Sequence, residues 1–167
     1  MGKETMAALS VGDPAPDFEL PALFDGTRKK FKLSDYKGLK NVVIVFHPVN
    51  WTPICEQQLP AFNAALKSFT DLDAEVVSIS VDSIYSTAAW EKEIGPIRFP
   101  LASDYYPHGE TAQRYGVFRY QDPFAGVSER AIFVVDKSGK LAFSKVYEMD
   151  KLPNTDEVLA TLRRISS

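Results

Sequence analysis

The chain is 167 residues long, 45% hydrophobic and 25% charged, with a formal net charge of −3. These are globular values for a chain able to bury one core, and they exclude a disordered or collagen-like polymer. No block of Lys or Arg is long enough for a nucleic-acid face, and no apolar run is long enough to cross a membrane. Residues 1–10 lack the apolar run of a signal peptide. The single cysteine cannot close an internal disulfide, so a cytoplasmic location is expected.

In chain order, residues 1–10 read as a flexible N-terminal tail, and 11–167 as a single domain. Pro14 and Pro16 make 11–16 rigid coil. Residues 18–20 and 29–33 form a hairpin around Asp25-Gly26, and Ser34 caps a brief turn ending at Gly38. Five consecutive apolar residues, 42–46, predict a strand buried on both faces. After a turn-rich segment, a helix begins near Cys55 and runs to about Phe69. Leu59, Phe62, Ala65, Leu66 and Phe69 face its core side, and Pro60 kinks it.

Residues 74–81 predict a second buried strand, and 86–94 a helix stopped by Gly95-Pro96. A short extended piece (97–101) and a helix (109–115) follow. Residues 130–136 and 140–148 pair across Lys137-Ser138-Gly139. Asn154 and Glu157 form a capping box for a final helix ending near Ile165. The order β-α-β-α-β-α-β-β-α predicts an α/β, thioredoxin-like fold: a central mixed β-sheet flanked by helices, with an N-terminal β-hairpin extension.

The chemistry concentrates at Cys55. Strand, tight loop and helix N-terminus place its sulfur where unpaired backbone N–H groups converge. Thr52, three residues earlier, puts a hydroxyl within reach of the sulfur, and Arg130 starts a core strand that meets the loop across the sheet. A lone cysteine is more often an inert core residue, and Arg130 read alone is as well explained by a strand-end salt bridge.

The spacing Pro48-x-x-x-Thr52-x-x-Cys55 resembles the active-site signature of the peroxiredoxins. VGDPAPDFEL at the start, VSISVDS with Trp90 beyond it, FPLASD, the YGV at Tyr115 and RAIFVVDKSG also stand in that family's order. The resemblance implies a thiol-dependent peroxidase. Cys55 is then the peroxidatic nucleophile, oxidised to a sulfenic acid by hydrogen peroxide or an organic hydroperoxide. Thr52 holds the peroxide and thiolate, Arg130 stabilises the thiolate and the transition state, and Pro48 shields the thiol from water. Gln58 supports the arginine, and His47 and Ile54 are further supporting residues. His47 takes a place usually held by an aromatic, which resembles the one-cysteine branch.

With no second cysteine in the chain, the resemblance implies a one-cysteine cycle recycled by an external thiol: thioredoxin, a glutaredoxin-type protein or a small thiol. Size and cysteine count resemble the alkyl hydroperoxide reductase E group. Trp51, Phe118, Tyr120 and Phe124 are core or loop anchors, or part of a homodimer face beside the site. No cofactor is expected, and no metal, since His47, His108 and Cys55 lack ligand spacing. Two alternatives share the fold. One is a monothiol thiol-disulfide oxidoreductase, although Gln58 stands where C-x-x-C has its second cysteine. The other is a non-enzymatic redox sensor or chaperone.

Overall fold

The computed structural model describes residues 8–166. Two strands, β1 (Glu19–Phe24) and β2 (Thr27–Lys32), and a 3-10 turn (Leu33–Tyr36) precede β3 (Asn41–Phe46). Helices α1 (Pro53–Ala64) and α2 (Leu66–Asp71) lead to β4 (Ala74–Ser80), and α3 (Ile84–Ile94) leads to β5 (Leu101–Ser103). Then come α4 (Glu110–Arg114), β6 (Arg130–Val135), β7 (Leu141–Tyr147) and α5 (Thr155–Ser166). The seven strands form one mixed sheet in the order β2-β1-β5-β4-β3-β6-β7.

β3 is the hub. It runs parallel to β4 and antiparallel to β6, and all six of its residues are buried. Alternate residues of a strand face opposite sides, and here each side has its own core. Val43 and Val45 join Phe62, Phe69, Trp90 and Leu162 on the face covered by α1, α2, α3 and α5. Val42, Ile44 and Phe46 join Phe31, Tyr115 and Phe133 beneath the N-terminal segment and α4. A five-residue apolar run without alternation is what such a doubly covered strand requires.

The N-terminal hairpin extends the sheet, with β1 paired to β5 at Ala22 and Leu23. Residues 1–7 of the expected tail lie outside the described residues. Leu9 is docked: its N–H donates to the Tyr115 carbonyl at 3.2 Å, and its own carbonyl accepts from Ser144.

Three local expectations are corrected. The long helix is two, because at Ala65 the backbone turns (φ −89°, ψ 1°), and Phe69 stacks on Phe62 with centroids 5.7 Å apart. Ser34 does not cap its turn with its side chain: Lys32 stands at the cap, and the Ser34 N–H donates to Asp17 at 2.9 Å. The box before α5 is half made. Asn154 accepts from the Asp156 N–H at 2.8 Å, but Glu157 is drawn to Lys145 and to the Tyr147 hydroxyl on β7. A tertiary cation and hydroxyl outcompete the local amide.

Candidate active site

The C-terminal end of β3 feeds the segment His47–Thr52, and the N-terminal end of β6 begins with Arg130. Because β3 and β6 are neighbours, with Phe46 paired to Ala131, Arg130 stands beside the loop entering α1. Pro53 opens that helix at a position that needs no N–H. The first i−4 bond is Glu56 N–H to the Thr52 carbonyl, which leaves the amides of Ile54 and Cys55 without an intrahelical acceptor. Cys55 is thus in the first turn, at the positive end of the helix.

Its sulfur is completely buried. Arg130 Nη1 donates to Cys55 Sγ at 3.3 Å and also to Gln58 Oε1, one turn further along α1. Arg130 Nε and Nη2 both donate to the Met149 carbonyl, at 3.3 and 2.9 Å. Only 3% of Arg130 is exposed, and it takes part in no ion pair among the described residues. A buried guanidinium held solely by neutral acceptors and a sulfur leaves its positive charge available to a thiolate.

Thr52 departs from expectation. Its hydroxyl donates to the Val49 carbonyl at 3.0 Å rather than to the sulfur, and it provides no side-chain cap. With the proton so engaged, the oxygen has only lone pairs to offer a ligand. Trp51, just before it, holds φ = +70°, a left-handed backbone that a bulky residue adopts only when its surroundings impose it.

His47 is buried, and both of its ring nitrogens are engaged within the core rather than with the sulfur. Nδ1 lies 2.7 Å from Ser78 Oγ, Nε2 lies 2.7 Å from Asn50 Oδ1, and the ring stacks on Trp90. Since Asn50 Nδ2 donates to Thr87 at 3.0 Å, its Oδ1 faces the imidazole, so Nε2 carries the proton and Nδ1 accepts. Burial pushes the His47 pKa down to about 4, keeping the ring neutral. Asp82 completes the brace by accepting from the Asn50 N–H at 2.9 Å. His47 therefore shapes the loop, while Pro48, Thr52 and Ile54 line the opening.

That opening is a cavity of about 730 Å³ whose wall also includes Phe124, Arg130, Val146 and Met149. Arg119 at its edge is paired with Glu129 at 2.7 Å, whereas Glu148 and Asp150 have no ion-pair partner among the described residues. The sequence reading missed Met149, Asn50 and the Arg119–Glu129 pair. Met149 acts through a backbone carbonyl that any residue type would supply, and no local pattern links Arg119 to Glu129, ten residues further on. Among the described residues no group of three or more His, Cys, Asp or Glu side chains is placed to hold a metal ion, and no helix is long and apolar enough to cross a membrane.

Residues 11–144 match the AhpC/TSA family. The chain is 39% identical over 138 residues to alkyl hydroperoxide reductase E of Mycobacterium tuberculosis, covering 83% of this chain and 86% of that protein. It is 35% identical over 164 residues to the chloroplastic 2-cysteine peroxiredoxin of Chattonella marina var. antiqua, covering 95% and 81% of the two. The crystal structure of reduced Plasmodium vivax 2-Cys peroxiredoxin superposes with a TM-score of 0.86 at 30% identity, covering 93% of this chain and 81% of that one. The expected thioredoxin-like architecture, the thiol–guanidinium contact and these likenesses agree: the chain belongs to the AhpC/TSA family and is a peroxiredoxin, a thiol-dependent peroxidase.

Proposed function

We propose that Cys55 is the peroxidatic nucleophile of a one-cysteine cycle that reduces hydrogen peroxide and organic hydroperoxides. The observation that carries this reading is the 3.3 Å contact from Arg130 Nη1 to the only sulfur of a cysteine in the chain. The thiolate attacks one peroxide oxygen, an S–O bond forms as the O–O bond breaks, and the departing oxygen takes a proton and leaves as water or an alcohol. Arg130 has five N–H donors, of which two go to Met149, one to Gln58 and one to sulfur. The fifth, on Nη2, is left for a substrate oxygen where Arg130 meets the cavity.

Thr52 accepts the hydroperoxide proton through its free lone pairs, the amides of Ile54 and Cys55 add positive potential, and Pro48 keeps water from the sulfur. Donors fixed before the reaction stabilise developing negative charge without reorganising. The sulfenic acid condenses with an external thiol, releasing water and leaving a mixed disulfide. A second thiol displaces Cys55 and carries off a disulfide. The reductant is a thioredoxin, a glutaredoxin-type protein or a small thiol, the setting is the cytoplasm, and the unit is one domain (11–167). A homodimer is built on the exposed apolar residues near the cavity, Phe124 and Val146 among them. Light scattering that finds only monomer at micromolar protein removes the dimer.

The test of the cycle is rapid mixing of reduced protein with hydrogen peroxide at neutral pH, followed by tryptophan fluorescence, beside Cys55→Ser and Arg130→Ala. A signal that needs the cysteine, outpaces a free thiol by orders of magnitude and collapses in Arg130→Ala supports the reading. Ordinary thiol reactivity defeats it.

A further inference from the structure

Two buried side-chain atoms lack a hydrogen-bond partner among the described residues, Gln58 Nε2 and Trp90 Nε1. Native interiors rarely leave such donors unpaired, and each instance calls for a cause. The Gln58 amide cannot simply be reversed, because its oxygen accepts from Arg130 Nη1, and turning it would set N–H against N–H. The two unpaired hydrogens are therefore a property of the site. Gln58 is wholly buried and three residues past Cys55, hence on the same side of α1. One nitrogen, Arg130 Nη1, touches both Gln58 Oε1 and Cys55 Sγ. The unused donors thus sit one guanidinium contact away from the sulfur.

Reduced Cys55 presents only sulfur, and the Gln58 donors have no partner beside it among the described residues. Oxidation adds an oxygen with lone pairs at that position, in surroundings from which water is excluded. We propose that Gln58 Nε2 donates to the oxygen that Cys55 acquires, so that Gln58 serves the oxidised sulfur as well as holding Arg130. This rests on the peroxidatic reading of Cys55. Sulfur gives up two electrons to the peroxide, the O–O bond is replaced by an S–O bond, and the Gln58 protons stay on nitrogen. Their effect is to favour the sulfenate anion over the neutral sulfenic acid, since a donor hydrogen bond stabilises the charged acceptor. The anion is the form that attacks a second peroxide, so Gln58 also promotes over-oxidation.

The experiment uses the full chain with one equivalent of hydrogen peroxide. In ¹⁵N-glutamine-labelled protein, the Gln58 side-chain resonances are identified by their loss in Gln58→Met. On oxidation one of its amide protons is expected to move downfield and exchange more slowly with water. No such change is expected in Cys55→Ser. If the protein gains the mass of one oxygen atom on Cys55 and the Gln58 amide stays put, the proposal is overturned. If no oxygen is gained, it is the peroxidatic reading that fails.

A second arm separates donation from mere support of Arg130. Gln58→Glu keeps an oxygen for the guanidinium and removes both donors. Its added charge acts on the thiol and the sulfenic acid alike, so peroxide oxidation rate against pH serves as the reference. Reaction of the sulfenic acid with an electrophilic probe should show a profile displaced to higher pH by about one unit more than that reference. Equal displacement of the two profiles overturns the proposal.

Discussion

The Met149 carbonyl holds Arg130 from behind: Nε and Nη2 converge on one oxygen at 3.3 and 2.9 Å, which turns Nη1 toward Cys55. The grip needs a planar fork, and lysine has none. Arg130→Lys should slow oxidation of Cys55 by hydrogen peroxide about 100-fold or more, despite the conserved charge. Arg130→Met should slow it at least as much, yet leave urea-measured stability within about 2 kcal/mol of the parent. Losing a buried cation without a carboxylate partner offsets the acceptors it abandons. Equal activity in Arg130→Lys would show that charge alone suffices.

His47 makes stability depend on pH. Its pKa falls from 6.5 to about 4 on folding, chiefly through burial. Between those values the unfolded chain holds more protons, so folding is weakened as pH drops through the window and is unaffected above it. The full loss approaches about 3 kcal/mol at pH 4 and below. In His47→Gln the difference from wild type should shrink by that amount between pH 7 and pH 4, measured by denaturant melts across the range. Parallel curves would mean that the ring takes up its proton as readily inside the fold as in the unfolded chain.

Gly109 is at the N-terminus of α4 with φ = +70°, and a Cβ there would clash with Cε1 of the Phe118 ring. Gly109→Ala adds left-handed strain to a clash with a ring, for a combined cost of about 2–4 kcal/mol. A fall in Tm of about 5–15 °C is expected. Phe118→Ala in the same chain should recover the clash but not the strain.

The mouth of the cavity should favour reductants without negative charge. Glu129 cancels Arg119, while Glu148 and Asp150 stand unpaired among the described residues and exposed. Glutathione and its diethyl ester share a thiol and differ in charge. The ester should reduce the oxidised protein about threefold to tenfold faster at low salt. Combining Glu148→Gln with Asp150→Asn should narrow that ratio, as should added salt. A ratio unchanged by both would place the reductant's path elsewhere.

Much of the framework was legible because it is written in side chains. The run of 42–46 identified the doubly covered strand, and the positions of Pro48, Thr52, Cys55 and Arg130 marked what β3 and β6 bring to one end of the sheet. The illegible parts are backbone groups and long-range competitors. Nothing at Ala65 announces the turn that lets Phe69 stack on Phe62. Asp104 caps α4 through the Thr111 and Ala112 amides from seven and eight residues away, beyond any local capping pattern. Spacing and the family resemblance both put the Thr52 hydroxyl at the sulfur, and the Val49 carbonyl, equally close along the chain, takes its proton.

The pairing of Phe46 with Ala131 has an evolutionary corollary. Cys55 and Arg130 are 75 positions apart, and strand alignment alone makes them neighbours. Slipping β6 by one residue against β3 would move the guanidinium about 3.3 Å and turn it through the sheet to the opposite side. Single-residue insertions or deletions inside either strand should therefore be as damaging as replacing the arginine itself.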